Sequence, residues 1–337
     1  MATCIRRREF IVTFSGAAVA WSLTARAQQG TKIPRISILS PGRSGLPDPN
    51  FNMINAFVQG LRELGYTEGQ NLAIERQYAD GNSDRLRELT AEVVRRKPDI
   101  VVAFSTTAAR PAKQATDTIP IVAIAMADPV ADELVASLAR PGGNVTGTTF
   151  LGPELIAKRL QLLREVVPGL SRVAALWHPI AYSERTMEGV RNEIEVAARS
   201  LGLQLQLVPA ISPDDVVGAF GAMASEHAEA LIVMPSPMLF LEYRRIVGLA
   251  ASIRLPAIGA AREFVDLGGL MSYGANLSDL ARQTAAHTDK ILKGTQPAEL
   301  PVEQPIKFEL VINLKTAREL GLTIGREFLL VADDVVE

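Results

Sequence analysis

The chain has 337 residues, with 35 Lys and Arg against 37 Asp and Glu, one cysteine and 5% aromatic residues. A near-neutral balance without basic clusters argues against a nucleic-acid partner, and a single cysteine excludes an internal disulfide or a multi-cysteine metal site. Aliphatic residues are abundant and the length exceeds what one hydrophobic core usually holds, so two α/β domains of roughly 150 residues are expected.

The N-terminus reads as an address. Arg6-Arg7-Arg8-Glu9-Phe10-Ile11 precedes an apolar, Ala-rich segment and then Ala25-Arg26-Ala27, a small-x-small cleavage pattern. The Arg-Arg-x-Phe-Ile core resembles a twin-arginine export signal, and the apolar segment is too short to favour a membrane anchor. Cys4 lies before that segment, so cleavage ahead of Gln28 leaves a chain with no cysteine. Residues 1–27 are therefore taken as the export signal, and the remainder carries 31 basic and 36 acidic residues, a net charge of about −5.

Ile33 to Leu39 reads as a first strand, ending in the loop Ser40-Pro41-Gly42-Arg43-Ser44-Gly45. Such a loop lets a ligand approach the backbone, and Ser40 is a candidate contact, but the spacing of a P-loop or a GxGxxG fingerprint is absent. Asn52 to Leu64 has helical spacing and stops at Gly65; Asn71 to Tyr78 alternates as a strand; Asp84 to Arg96 is an amphipathic helix. Ile100 to Phe104 and Ile121 to Met126 are short apolar runs that suit strands buried on both faces of a parallel sheet. Ser105, Thr106 and Thr107 follow the first run and Asp128-Pro129 the second. In open parallel sheets ligands bind beyond the carboxyl ends of the strands, at helix starts. Hydroxyls there can hold a carboxylate and an aspartate can hold an ammonium, which together suit a small zwitterion; simple capping is the alternative for each.

The same unit returns later: a helix from Glu188 to Leu201 stopped by Gly202, a strand over Leu203 to Val208, a helix opened by Ser212-Pro213-Asp214, and a strand over Ala230 to Met234. This repetition supports two doubly wound lobes with parallel sheets. The strand-end loops of the second would carry Trp177-His178-Pro179 through Tyr182, then Pro235-Ser236-Pro237, then Arg262-Glu263. Val145 to Phe150, Gly268 to Gly274 and Ile306 to Ile312 read as three crossings, with helices over Leu277 to Lys293 and Leu314 to Leu320. The expected lobes are residues 31–147 with 274–304, and 148–273 with 305–337.

Enzymatic signals are weak. His178, His227 and His287 lack metal spacing, no Gly-x-Ser-x-Gly elbow is present, Ser105 has no evident base, and Asp128 with Glu263 is only a nominal carboxylate pair. A hydrolase or transferase is the weakest alternative, and neither a metal nor another cofactor is expected.

The Arg-Arg leader, the Pro-Gly-Gly-Asn-Val-Thr-Gly stretch, Arg-Glu-Phe-Val followed by Gly-Gly-Leu-Met-Ser-Tyr-Gly, and the tail from Asp289-Lys290-Ile291-Leu292-Lys293-Gly294 through Pro301-Val302-Glu303-Gln304-Pro305 to Phe308-Glu309-Leu310-Val311-Ile312-Asn313 resemble the ABC transporter substrate-binding family, in the branch that includes tryptophan- and tyrosine-type binding proteins. The resemblance implies a type I periplasmic binding protein: two lobes, a three-segment hinge and a ligand in the cleft. It places Ser105, Thr106, Thr107 and Asp128 on one wall and His178, Tyr182 and Ser236 on the other. Trp177-His178-Pro179 stands where many relatives have an Asn-Pro loop. The implied partners are a small amino-acid-like ligand and the membrane permease of an ABC transporter, for a monomer in the periplasm. A receptor domain feeding a sensor kinase or chemoreceptor is the nearer alternative.

N-terminal sequencing of the protein from a periplasmic fraction is expected to start near Gln28, and Arg7→Lys with Arg8→Lys to retain it in the cytoplasm. A start at Met1 would refute the export reading.

Overall fold

The computed structural model describes residues 33–44, 49–152 and 154–337, so the leader lies outside the described residues. The first sheet is formed by β1 (Arg35–Ser40), β2 (Ala73–Tyr78), β3 (Ile100–Phe104), β4 (Ile121–Met126) and β5 (Val145–Thr149). Their order is β2-β1-β3-β4-β5 and every pairing is parallel. All of β3 and β4 is buried, as continuous Val/Ile/Ala runs covered by helices on both faces require. The second sheet contains β6 (Arg172–Trp177), β7 (Gln204–Pro209), β8 (Ala230–Val233), β9 (Ala257–Gly259), β10 (Met271–Ala275), β11 (Phe308–Asn313) and β12 (Asp334–Val336), in the order β12-β11-β10-β9-β8-β6-β7.

One pairing departs from the all-parallel expectation: β10 and β11 run antiparallel. Between them the chain leaves for the first lobe and comes back, so β11 re-enters the sheet from the end at which β10 left it. Both doubly wound cores therefore share one seam.

The excursion is well anchored. Its helix, Leu277–Leu292, begins at Asn276, whose side chain accepts from the Asp279 N–H, and packs beside the Pro49–Glu63 helix. Gly60 permits that closeness, since a β-carbon there would stand 2.9 Å from the Ala285 β-carbon. The Tyr66 hydroxyl donates to Asp289 at 2.9 Å across the same contact.

Although β5 is rich in threonine, it is wholly buried, and its central hydroxyls are paired. Thr146 donates to the Leu300 carbonyl at 2.7 Å, and Thr148 lies 3.2 Å from the Thr284 hydroxyl while accepting from Ala125 N–H at 3.1 Å. Ahead of β5, Asn144 in the Pro-Gly-Gly-Asn turn donates to the carbonyls of Thr116 and Ile119 and accepts from Lys113, which pins the turn to the adjoining loop. Thr149 N–H donates to the Glu303 carbonyl at 2.9 Å, so the first crossing lies beside the segment that leads into the third.

The helix Ile156–Val166, which follows the first crossing directly, is an element the sequence patterning did not separate from that crossing. The short helices Pro237–Leu241 and Glu263–Asp266, together with β9 and β12, are likewise too brief to show a period.

Gly147 occupies the point where the β4–β5 register shifts, at φ +138°, and a β-carbon there would meet the Ala123 carbonyl oxygen at 1.8 Å. Steric overlap and backbone strain together predict that Gly147→Ala destabilises the fold by about 3 kcal/mol or more. Urea unfolding measures this, and an unchanged midpoint would show that β5 can shift at no cost.

Candidate ligand-binding cleft

Strand order places the cleft. In the first sheet the chain moves outward from β1 to β2 on one side and from β3 to β4 on the other, so a crevice opens beyond the carboxyl ends of β1 and β3. Ser40 ends β1 and Ser105 follows β3. The second sheet repeats the arrangement at β6 and β8, whose ends carry His178 and Ser236. The two crevices face each other and are closed together. Thr107 Oγ1 donates to the Ala181 carbonyl at 3.3 Å, and Asp132 Oδ1 accepts from Ser183 N–H at 3.0 Å and from Thr186 Oγ1 at 2.7 Å. Arg43 and Glu242 approach to 3.5 Å, and Asn52 hydrogen-bonds Glu263.

Several sequence-nominated residues make the local bonds expected of caps and turns. Ser40 Oγ accepts from Gly42 N–H at 3.1 Å, and Ser236 Oγ accepts from Leu239 N–H at 3.1 Å. Asp128 Oδ1 accepts from Val130 N–H and Ala131 N–H, leaving its second oxygen for other partners. Thr106 is buried, and its hydroxyl accepts from Ala127 N–H at 2.9 Å, tying the helix start after β3 to the end of β4. Ser105 has φ +66°, an uncommon conformation for a side-chain-bearing residue, and its Oγ accepts from Thr107 N–H at 3.3 Å. Thr107, His178 and Tyr182 instead lie at the seam itself. The Tyr182 hydroxyl donates to the Pro235 carbonyl at 2.8 Å, and burial, then the charge of Asp132, holds its pKa well above the ordinary phenol range.

The walls also carry polar atoms that the protein does not pair. Asp132 Oδ2 and Thr149 Oγ1 of the first lobe are buried without a hydrogen bond, and so are Arg159 Nη2, Trp177 Nε1 and both ring nitrogens of His178 in the second. Such atoms are rare in folded proteins because each forfeits its bonds to water. Among them, Asp132, Trp177 and His178 lie where residues of the two lobes meet, and Thr149 and Arg159 lie beside the crossings. The cavity between Thr107, His178 and Pro237 measures about 20 Å³, space for about one water, and beside it two wider clefts of about 560 and 530 Å³ open between Arg110 of the first lobe and Glu184 and Glu188 of the second. No metal-holding group of three or more His, Cys, Asp or Glu is present, and no helix is long and apolar enough to cross a membrane, both among the described residues.

Sequence reasoning did not nominate Asp132 or Arg159. For Asp132 no local signal exists, because its partners lie about fifty residues away on the other lobe. For Arg159 there is one: with Ile156, Leu160 and Leu163 it shares the buried face of an amphipathic helix, and a charge on that face asks for an explanation.

A profile of the family described as ABC transporter substrate binding protein matches residues 48–336. The chain belongs to that family. Among curated proteins it is 26% identical to a tyrosine-binding protein of Clostridioides difficile (strain R20291) over 274 residues, which is 79% of this chain and 75% of that one. Among solved structures it is similar to a conserved domain protein of Vibrio cholerae (27% identity, TM-score 0.83, covering 90% of this chain and 100% of that chain). It is similar also to an ABC domain in complex with L-Trp from Streptococcus pneumonia (26% identity, TM-score 0.82, covering 90% and 99%). These likenesses agree with the two-lobed α/β architecture, and the family is one of solute-binding proteins.

In this substrate-binding protein the seam should be sensitive to acid. Burial pushes the His178 imidazole from its ordinary 6.5 down to about 4. The folded state then keeps His178 neutral while the unfolded chain takes up a proton below pH 6.5, so stability is full above 6.5 and falls as pH drops toward 4. The expected loss is up to about 3 kcal/mol. Melting wild type beside His178→Phe from pH 4 to 7 isolates this contribution; parallel curves would mean that His178 takes up its proton as readily folded as unfolded.

Proposed function

We propose that the protein captures a small amino-acid-like solute between its lobes outside the cytoplasm and delivers it to an ABC permease. The gathering of unpaired buried polar atoms on two facing walls carries this reading, because a polar solute seated there supplies the missing hydrogen bonds. The amino-acid class is supported by the relatives, one a tyrosine-binding protein and one found with L-Trp. In this reading Asp128, through the oxygen its turn does not use, receives the ligand ammonium, and Thr107, His178 and Tyr182 complete the walls. Ser40, Ser105, Thr106 and Ser236 hold the wall backbones in place. The twin-arginine leader directs export to the periplasm, where the protein acts as a monomer.

Closure is a selected state. The bonds from Asp132 to Ser183 and Thr186 exist only when the lobes meet, so ligand and latch favour the same conformation. Adding ligand is expected to raise the melting temperature and to reduce the radius of gyration in small-angle scattering. A thermal-shift screen of amino acids, short carboxylates and amides identifies the ligand. Asp132→Ala should then weaken its binding roughly tenfold by favouring the open form, and Asp128→Ala roughly ten- to a hundredfold by removing the partner of the ammonium. If Asp128→Ala lowers only the melting point, by the loss of about 1 kcal/mol that a cap contributes, Asp128 is a cap and not a ligand contact.

A further inference from the structure

Arg159 is the one fully buried arginine of the described chain, at 0% exposure. It stands one turn into the helix Ile156–Val166, just after the first crossing, with its side chain wedged against β10. Its Nε donates to the Tyr273 carbonyl at 2.8 Å and its Nη1 to the Gly152 carbonyl at 2.8 Å, which clamps the first crossing to β10 and orients the guanidinium. Nη2 has no partner. A β-carbon on Gly274 would stand 3.6 Å from it, an ordinary contact, and 2.0 Å from the Ala260 carbonyl oxygen, so glycine is required there by the Ala260 backbone.

The guanidinium also lacks a counter-ion. No Asp or Glu comes within ion-pair distance of it among the described residues. Glu154 and Glu193 feel its charge from further off, and both carboxyls are raised, chiefly by desolvation. The groups electrostatically nearest to it are the phenols of Tyr243, Tyr182 and Tyr273. A cation removed from water and given only carbonyl oxygens is costly unless an anion joins it, and a guanidinium presents its remaining N–H groups in a fork that fits a carboxylate. The clamp to Gly152 and Tyr273 sets Arg159 where the first crossing meets β10, and its charge is felt by Tyr182 of the cleft wall and by Glu154, which also feels Asp128.

We propose that Arg159 is the ligand's anion anchor: its free Nη2 receives the carboxylate of the solute, which makes a carboxylate a requirement of the protein's substrate class. The assignment rests on the solute-binding reading above and narrows it, reversing the wall the sequence suggested for this group. The hydroxyls of Ser105, Thr106 and Thr107 looked suited to a carboxylate, but the first two are engaged in their own turn and strand-end contacts and Thr107 bonds across the seam.

The test uses the full exported chain in thermal-shift and calorimetric titrations with L-α-amino acids and short carboxylates, each beside its carboxamide, and with neutral hexoses and nucleosides as a second set. Wild type is expected to bind at least one carboxylate and to bind the matching carboxamide roughly a hundredfold more weakly. Arg159→Met should bind the two alike, while its ligand-free melting temperature stays at or above that of wild type, because an uncompensated buried charge has been removed. A purely structural clamp predicts the opposite pair of results, a lowered melting temperature and unchanged affinity, and would overturn the proposal. If Arg159→Met does not fold, the wild-type comparison decides: equal affinity for carboxylate and carboxamide overturns the assignment. Binding of neutral solutes alone would leave the solute-binding reading standing and remove the anchor, whereas binding of no compound in either set would count against both.

Discussion

Three chain crossings hold two sheets so that the carboxyl ends of their strands face each other, and the polar chemistry of the molecule follows from that constraint. Strands ending at a common seam leave helix starts, turns and unpaired N–H groups there, because that is where each strand hands over to its helix. Aliphatic residues fill the sheets and their flanking layers, while Ser, Thr, Asp, His, Tyr and Arg collect where the lobes meet. The crossings also settle direction: β11 must enter the second sheet against β10 because the intervening chain has visited the other lobe.

The seam is built to separate. One apolar cluster runs through both lobes, from Phe57 and Phe104 to Phe240 and Phe264, and the hydrogen bonds and ion pair that join the lobes at the seam are few: one threonine to a carbonyl, one aspartate to a helix start, one arginine to a glutamate and an asparagine to another. Bonds of this kind exchange readily with water, so opening them sacrifices little. Closing without a solute buries atoms that gain no partner, at about 1–3 kcal/mol for each. A solute that satisfies them stabilises the closed form selectively, and differential affinity of that sort is what drives a two-state hinge.

The two walls divide the labour unequally. The first lobe presents short side chains, Ser105, Thr106 and Asp128, whose bonds shape the loops after β3 and β4 and fix the backbone that meets the cleft. The second presents large groups, His178, Tyr182, Trp177 and Arg159, that carry aromatic surface and charge. Asp132 crosses from the first wall to the start of the Glu184–Ser200 helix, where a negative charge is favoured by the free N–H groups, so the latch uses the helix end that closure brings within reach.

Local pattern by itself determined the α/β class, the repeated helix–strand–helix–strand unit and the strand-end loops, because apolar periodicity and Gly, Pro and Asn punctuation are properties of a few neighbouring residues. It brought Ser40, Ser105, Thr106, Thr107, Asp128, His178, Tyr182 and Ser236 to notice for the same reason: each lies at or beyond the end of a strand. Tertiary structure alone decided which of them lie at the seam and which spend their hydrogen bonds in a nearby turn, as Thr106 does with Ala127. It alone joined Asp132 to Ser183 and Thr186, pairs separated by about fifty residues with no pattern linking them. Arg159 marks the boundary between the two kinds of knowledge. Its charge on an apolar helix face is visible in the chain, but its complete burial, its two carbonyl partners and its free nitrogen arise from β10 and the first crossing packing around it, more than a hundred residues apart in sequence.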